Sequence, residues 1–131
     1  MPALARHSVS VVALELNSCR LAELSGELSV LTTLTSLDLS GNQELAGGWQ
    51  HLRPLRQLLA LNLRGCSLAE VPRELSTLTT LTSLDLSVNE ELEGGWQHLR
   101  QLRQLQELDL TDCSLEEVPQ ELSHLGSVIR I

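Results

Sequence analysis

The stretch Leu61-Asn62-Leu63-Arg64-Gly65-Cys66-Ser67-Leu68-Ala69-Glu70-Val71-Pro72-Arg73-Glu74-Leu75 returns as Leu108 through Leu122 and, more loosely, as Leu14 through Leu28. A sister stretch, Leu37-Asp38-Leu39-Ser40-Gly41-Asn42 leading into Gly47-Gly48-Trp49-Gln50-His51-Leu52, returns as Leu84 to Asn89 and Gly94 to Leu99. The two types alternate. Their opening Leu-x-Leu triplets begin at Leu14, Leu37, Leu61, Leu84 and Leu108, spaced 23, 24, 23 and 24 residues. Laid over each other without a gap, residues 37–83 and 84–130 match at 30 of 47 positions, so the duplicated unit is a pair of repeats. A leucine-headed period of about 20 to 29 residues belongs to units too small to bury their own apolar side, which gain a core only by stacking.

Within each triplet both leucines point to one face and the residue between them to the other. Each triplet therefore predicts a short strand. Strands one whole turn of chain apart run parallel, about 4.8 Å from their neighbours. The return segments keep leucines three apart, at Leu52, Leu55 and Leu58 and again at Leu75, Leu78 and Leu81, which suits short helical or 3-10 turns. The expected organisation is one domain over residues 1–131. Its repeats fall at about 11–33, 34–57, 58–80, 81–104 and 105–127, with 128–131 as the start of a sixth strand cut short.

These residues resemble the leucine-rich repeat family, whose pattern Leu-x-x-Leu-x-Leu-x-x-Asn/Cys-x-Leu is met by Leu58, Leu61, Leu63, Cys66 and Leu68 and by Leu105, Leu108, Leu110, Cys113 and Leu115. The resemblance covers roughly Val11 to Val128. It implies an α/β solenoid with a short parallel sheet on the concave face and helical or 3-10 turns on the convex face, working as a protein-interaction module.

Composition bounds the partners. The formal net charge is −8, and no Lys/Arg-rich run is present to neutralise phosphates, which disfavours nucleic acid and anionic membrane. No stretch of about 18 apolar residues predicts a membrane span, and Met1 to Val12 lacks the core of a signal peptide. Three cysteines, Cys19, Cys66 and Cys113, fall in the Asn/Cys slot and alternate with Asn42 and Asn89, forming a ladder of short side chains that turn inward and bond loop backbone. Two turns apart, at roughly 10 Å, the cysteines are too distant for disulfides and should be reduced thiols. An odd cysteine count with no cysteine-rich cap points to the cytoplasm.

Two pairs recur with the long period. Trp49 and Trp96 follow double glycines and read as core filling, with an outward aromatic anchor as the alternative. His51 and His98, near Arg53, Arg56, Arg100 and Arg103, read as a solvated basic flank. No Cys-x-x-Cys or His-x-x-x-His spacing suggests a metal, no cofactor motif is present, and no nucleophile, base and acid converge, so the chain is not expected to be an enzyme.

The middle residues of the five triplets form one column, Glu15, Asp38, Asn62, Asp85 and Asp109, of which four are acidic. The next column reads Asn17, Ser40, Arg64, Ser87 and Thr111. Aligned like charges repel, and a fold without use for them has no need to align them. The leading expectation is a concave face that holds a neutral or basic protein or peptide, the acids attracting it and the second column fixing its register. Two alternatives stand beside it: a natural or designed scaffold self-associating as a homo-oligomer through its open ends, and the recognition part of a larger enzyme or sensor. At the ends, Met1 to Ser10 are expected to fold across the first repeat, whereas Val128 to Ile131 offer no cap.

Overall fold

The computed structural model describes residues 10–131. Six strands, β1 (Ala13–Glu15), β2 (Ser36–Asp38), β3 (Ala60–Asn62), β4 (Ser83–Asp85), β5 (Glu107–Asp109) and β6 (Ile129–Arg130), form one parallel sheet in sequence order. Each of the first five begins one residue ahead of its Leu-x-Leu triplet. Between them lie the 3-10 segments η1 (Gly26–Val30), η2 (Trp49–Leu52), η3 (Arg73–Thr77), η4 (Trp96–Leu99) and η5 (Gln120–Val128), each stacked on its neighbours in the row. Leucines three apart are served by a helix of three residues per turn, because i and i+3 then lie on one line facing the core. Leu52, Leu55, Leu58, Leu75, Leu78 and Leu81 are all fully buried. The expectation that Met1 to Ser10 cover the first repeat falls, apart from Ser10, outside the described residues.

The pairing of repeats seen in the duplication is physical. Every seam between repeats carries the same strand bonds, such as Leu16 N to Asp38 O and Leu39 N to Asn62 O. The seam between repeats one and two adds an asparagine clamp. Asn42 Oδ1 accepts from the backbone N–H of Cys19 at 3.1 Å and of Leu21 at 3.0 Å, and its Nδ2 donates to Leu16 O at 3.0 Å. Leu24 N donates to Gly47 O and Ala46 N to Ala22 O. Asn89 repeats the arrangement between repeats three and four, accepting from Cys66 N and Leu68 N at 3.0 Å, with Val71 N donating to Gly94 O and Glu93 N to Ala69 O. Threonine hydroxyls join the same two seams, Thr33 to Val11 O and Thr80 to Leu58 O. At the other two seams the ladder side chain is a thiol, and among the described residues no bond like those of Leu24 N to Gly47 O and Ala46 N to Ala22 O is made. Cys66 Sγ donates to Leu39 O at 3.1 Å and Cys113 Sγ to Leu86 O at 3.0 Å.

Glycine pairs make the closed seams possible. Gly48 and Gly95 both stand at φ 81°. A Cβ on Gly48 would lie 2.4 Å from Leu24 O, and one on Gly95 would lie 2.6 Å from Val71 O. The second glycine of each pair thus does more than permit a turn: it lets two backbones approach to bonding distance. A second left-handed position follows each of the first five strands, at Ser18, Gly41, Gly65, Val88 and Asp112, and glycine fills only two of the five. Val88, at φ 56°, is the costly one, since a β-branched side chain resists this region.

The sixth strand departs from the expected register. The 47-residue duplication sets Ile131 in the seat of Leu84, yet Ile129 pairs with Leu108 and Arg130 with Asp109. Gly126, at φ 55° and ψ −124°, breaks η5 and brings the chain into the sheet two residues early. Because a two-residue shift preserves the alternation of faces, Ile129 still packs against the core.

The three cysteines divide by position. Cys19 is exposed, whereas Cys66 and Cys113 are buried, and none is in a disulfide. Burial pushes both buried thiols above 9.0, the ordinary value, by desolvating the thiolate. Their stabilising contribution is whole below pH 9 and falls as pH rises further, because the unfolded chain then releases the proton more readily. A thiol reagent at neutral pH should label Cys19 at once and the other two only at the rate of unfolding. Rapid labelling of all three in folded protein would contradict the buried ladder. Urea melts should show Gly95→Ala losing about 2 kcal/mol or more, from left-handed strain plus the clash with Val71. Val88→Gly should gain up to about 1 kcal/mol by relieving strain that Gly41 and Gly65 avoid.

Candidate binding face

The residue in the middle of each strand triplet points away from the leucine core, so the parallel register brings Glu15, Asp38, Asn62, Asp85 and Asp109 side by side. They line a shallow trough of about 290 Å³ that crosses all five strands, with Ala13, Ser36, Ala60, Ser83 and Glu107 on its floor. Arg130 extends the column into β6 opposite Asp109. The repeat spacing hid this residue, and the signal that reveals it is Gly126, the one glycine in a return segment whose sister, residues 73–81, has none.

The aspartates have a local task. Asp38 Oδ1 accepts from Ser40 N at 2.9 Å and Ser40 Oγ at 2.6 Å. Asp109 Oδ1 does the same with Thr111 N at 3.0 Å and Oγ1 at 2.7 Å, and Asp85 Oδ1 with the N–H and hydroxyl of Ser87. Asn62 Oδ1 accepts from Arg64 N at 3.0 Å. Each holds the chain as it leaves the strand, a side chain closing its own backbone two residues on. The premise that stacking has no need of this column is therefore corrected at β2 to β5, where one side-chain oxygen per strand exit is structural, while Glu15 at β1 makes no such bond. The negative charge is not structural, because Asn62 performs the same bond without it.

The second column splits. Ser87 is fully buried, so its expected role as a partner contact is corrected: its hydroxyl donates to Asp85 and accepts from Arg64 Nη1 at 3.1 Å. Ser40 and Thr111 are half-buried and spend their hydroxyls on Asp38 and Asp109. Asn17 and Arg64 are exposed. Arg64 is the one cation reaching over the middle of the column. The ion pair among the described residues, Arg73 Nε to Glu74 Oε2 at 3.8 Å, lies elsewhere, so the column's acids carry no salt-bridge partner there.

Other candidates resolve into packing. Trp96 is buried and Trp49 is half-buried against the core, edging a groove with Leu45, Leu68 and Pro72. Trp96 is inter-repeat filling, and Trp49 packs on the core with one side open to that groove. His51 and His98 are half-buried rather than freely solvated, His51 stacking on the space beside Gly26. Among the described residues, no three His, Cys, Asp or Glu side chains converge in a way that would hold a metal ion.

Comparison with known proteins agrees with this geometry. A family model described as Leucine Rich repeat matches residues 30–47, and a second, Leucine Rich Repeat, matches residues 104–125. Among solved structures, a leucine-rich repeat protein of Leptospira interrogans superposes on 98% of this chain with a TM-score of 0.79 and 28% identity. The chain spans 32% of that protein's length. A leucine-rich repeat-containing protein of Legionella pneumophila matches over 90% of this chain and 53% of its own, with 21% identity and a TM-score of 0.45. A search of curated protein sequences gave no match. The repeating ladder, the six-stranded parallel sheet, the two matched segments and the superposition on the Leptospira protein together give the chain a leucine-rich repeat fold, similar to that of leucine-rich repeat proteins.

Proposed function

We propose that the chain is a non-catalytic interaction module whose acidic concave face binds a basic protein segment, in a reducing compartment such as the cytoplasm. Leucine-rich repeat domains generally mediate protein–protein interaction. The observation that carries the finer reading is the column Glu15, Asp38, Asp85 and Asp109, whose charge the fold does not require and no salt bridge among the described residues neutralises. Like charges one strand apart cost stability, and an incoming cation relieves that cost while gaining its own attraction.

The spacing favours a helical partner. Strands step by about 4.8 Å and an α-helix by about 5.4 Å per turn, so a helix lying across the strands offers roughly one side chain to each. About 13 residues span β1 to β5. Arginines on successive turns would face the acids, with an uncharged residue opposite Asn62 and Arg64 and an acidic one near Arg130.

Asparagine substitution separates charge from structure, because it keeps the oxygen that closes each strand exit. The triple variant Asp38→Asn, Asp85→Asn, Asp109→Asn should melt within about 0.5 kcal/mol of the parent. It should bind an arginine-bearing helical peptide at least tenfold more weakly and with a flatter salt dependence. Unchanged affinity in folded protein would remove the concave face from consideration. Alanine at the same three positions should instead destabilise by about 1 kcal/mol each, by abandoning the backbone N–H two residues on.

A further inference from the structure

Positive charge is segregated in this chain as negative charge is. Four of the nine arginines, Arg53, Arg56, Arg100 and Arg103, stand in the return segments of repeats two and four, and no acid occurs between Glu44 and Glu70 or between Glu93 and Glu107. Each arginine pair lies beside the return segment of the following repeat, where η2 stacks on η3 and η4 on η5. The first of these junctions is tied shut: Thr80 Oγ1 donates to Leu58 O at 2.7 Å, with Arg56 O at 3.2 Å. At the second, Ser127 takes the place of Thr80 and its hydroxyl makes no such bond among the described residues. Gly126, at φ 55° and ψ −124°, has turned the chain out of the 3-10 path one residue earlier.

A cavity of about 710 Å³ lies between the return segments of repeats four and five, so both of its walls belong to this chain. Its polar lining is mostly donors, with Arg100 and Arg103 on one wall and Gln120, Ser123 and His124 on the other. Glu121 is the one carboxylate among them. It makes no ion pair with either arginine or with His124, since the pair among the described residues is Arg73 with Glu74. The duplication sets His124 where repeat three has Thr77, so the imidazole belongs to this junction and not to its sister. Leu105, Leu125 and Val128 supply an apolar floor, the two leucines buried and the valine packed against the core.

We propose that this cavity binds a small phosphate monoester with an apolar body, on the side of the return segments and away from the acidic column. Guanidinium groups offer paired N–H donors that match phosphate oxygens, and the amide, hydroxyl and imidazole add donors for a group with three terminal oxygens. A carboxylate, with two oxygens and one charge, would leave part of this set unpaired. The charge balance agrees: two guanidiniums outweigh Glu121, and His124 adds a further positive charge when protonated, which suits a dianion. The apolar floor takes the organic part of the ester, which an inorganic ion lacks. A volume of about 710 Å³ falls in the range of sites that enclose a whole small molecule, which favours a free ester over a phosphorylated protein segment.

Calorimetric titration of the full chain with phenyl phosphate tests this. Saturable binding at one site is expected, weakened at least about tenfold by Arg100→Gln together with Arg103→Gln, and about threefold by His124→Thr, which restores the sister residue. Arg53→Gln together with Arg56→Gln removes the same charge from the closed junction and should leave affinity within about twofold. All five side chains replaced are on the surface, so urea melts of the variants should match the parent. Absence of saturable binding would overturn the proposal. Equal losses from the two arginine pairs would overturn it too, because net charge and not the cavity would then be acting. Inorganic phosphate should bind more weakly than phenyl phosphate, and equal affinity would remove the apolar floor from the site. A phosphotyrosine tripeptide should bind no tighter than phenyl phosphate, and a gain of about tenfold would overturn the free ester in favour of a protein-borne one.

Discussion

One carboxamide closing two backbone N–H groups of the repeat before it is the interaction on which this architecture rests. A single repeat has leucines on one side only and cannot fold alone, so everything depends on how one layer recognises the next. Leucine contact is indifferent to identity and register. The carboxamide is not: Asn42 and Asn89 are both essentially unexposed, and each accepts two bonds while donating to carbonyls on either side of the seam. Removing such a group strands buried donors and acceptors at about 1–3 kcal/mol apiece. Replacing it with a thiol, as at Cys66 and Cys113, keeps the volume and one bond and gives up the rest. The result is an array of tight pairs joined by looser seams, which is the physical form of the 47-residue duplication.

The concave face inherits its order from those seams. Parallel register sets the column, and the strand-exit bond of Asp38, Asp85 or Asp109 fixes where each side chain stands. Rigid placement of a charge by a bond to its other oxygen lowers the cost of organising a binding surface before the partner arrives. The same economy explains Arg64. Anchored on Ser87 across the strand gap, it splits the acidic column into two halves instead of swinging free in solvent.

Much of this was legible in the chain, because period and alternation are properties of sequence. The strands, the leucine core, the pairing of repeats and the inward ladder at Asn42, Cys66, Asn89 and Cys113 all follow from positions such as Leu61, Leu63 and Cys66, whereas Cys19, expected in the same ladder, is exposed. What escaped depends on geometry that residue type does not encode. Val88 occupies a left-handed seat that glycine holds in two sister repeats, and nothing about valine announces it. Ser87 looked like a surface hydroxyl, but the reach of Arg64 and the strand exit at Asp85 bury it. Arg130 joined the column only because one glycine in η5 shortened the path by two residues. The glycine pairs looked like turn formers, whereas at Gly48 and Gly95, the second of each pair, the backbone of the preceding repeat is what excludes a side chain.

In a repeat protein, residues demanded by stacking recur, and residues that do not recur are free to mean something else. Leucines, ladder side chains and the Asp-x-Ser exits obey the period, so their presence says how the layers join and nothing about a partner. Several departures lie along one strip: Asn62 where its column has acids, Arg64 where its column has small hydroxyls, Glu107 beside Asp109, and Arg130 at the end. Reading from β1, the strip runs acid, acid, neutral beneath a cation, acid, acid, cation. A pattern of that kind has a direction, whereas a uniform acidic surface would hold a basic segment equally well in either orientation. On the proposed function, a bound helix would therefore meet opposite ends of the strip on unequal terms, and its polarity would be set by the two arginines more than by the acids proposed to attract it.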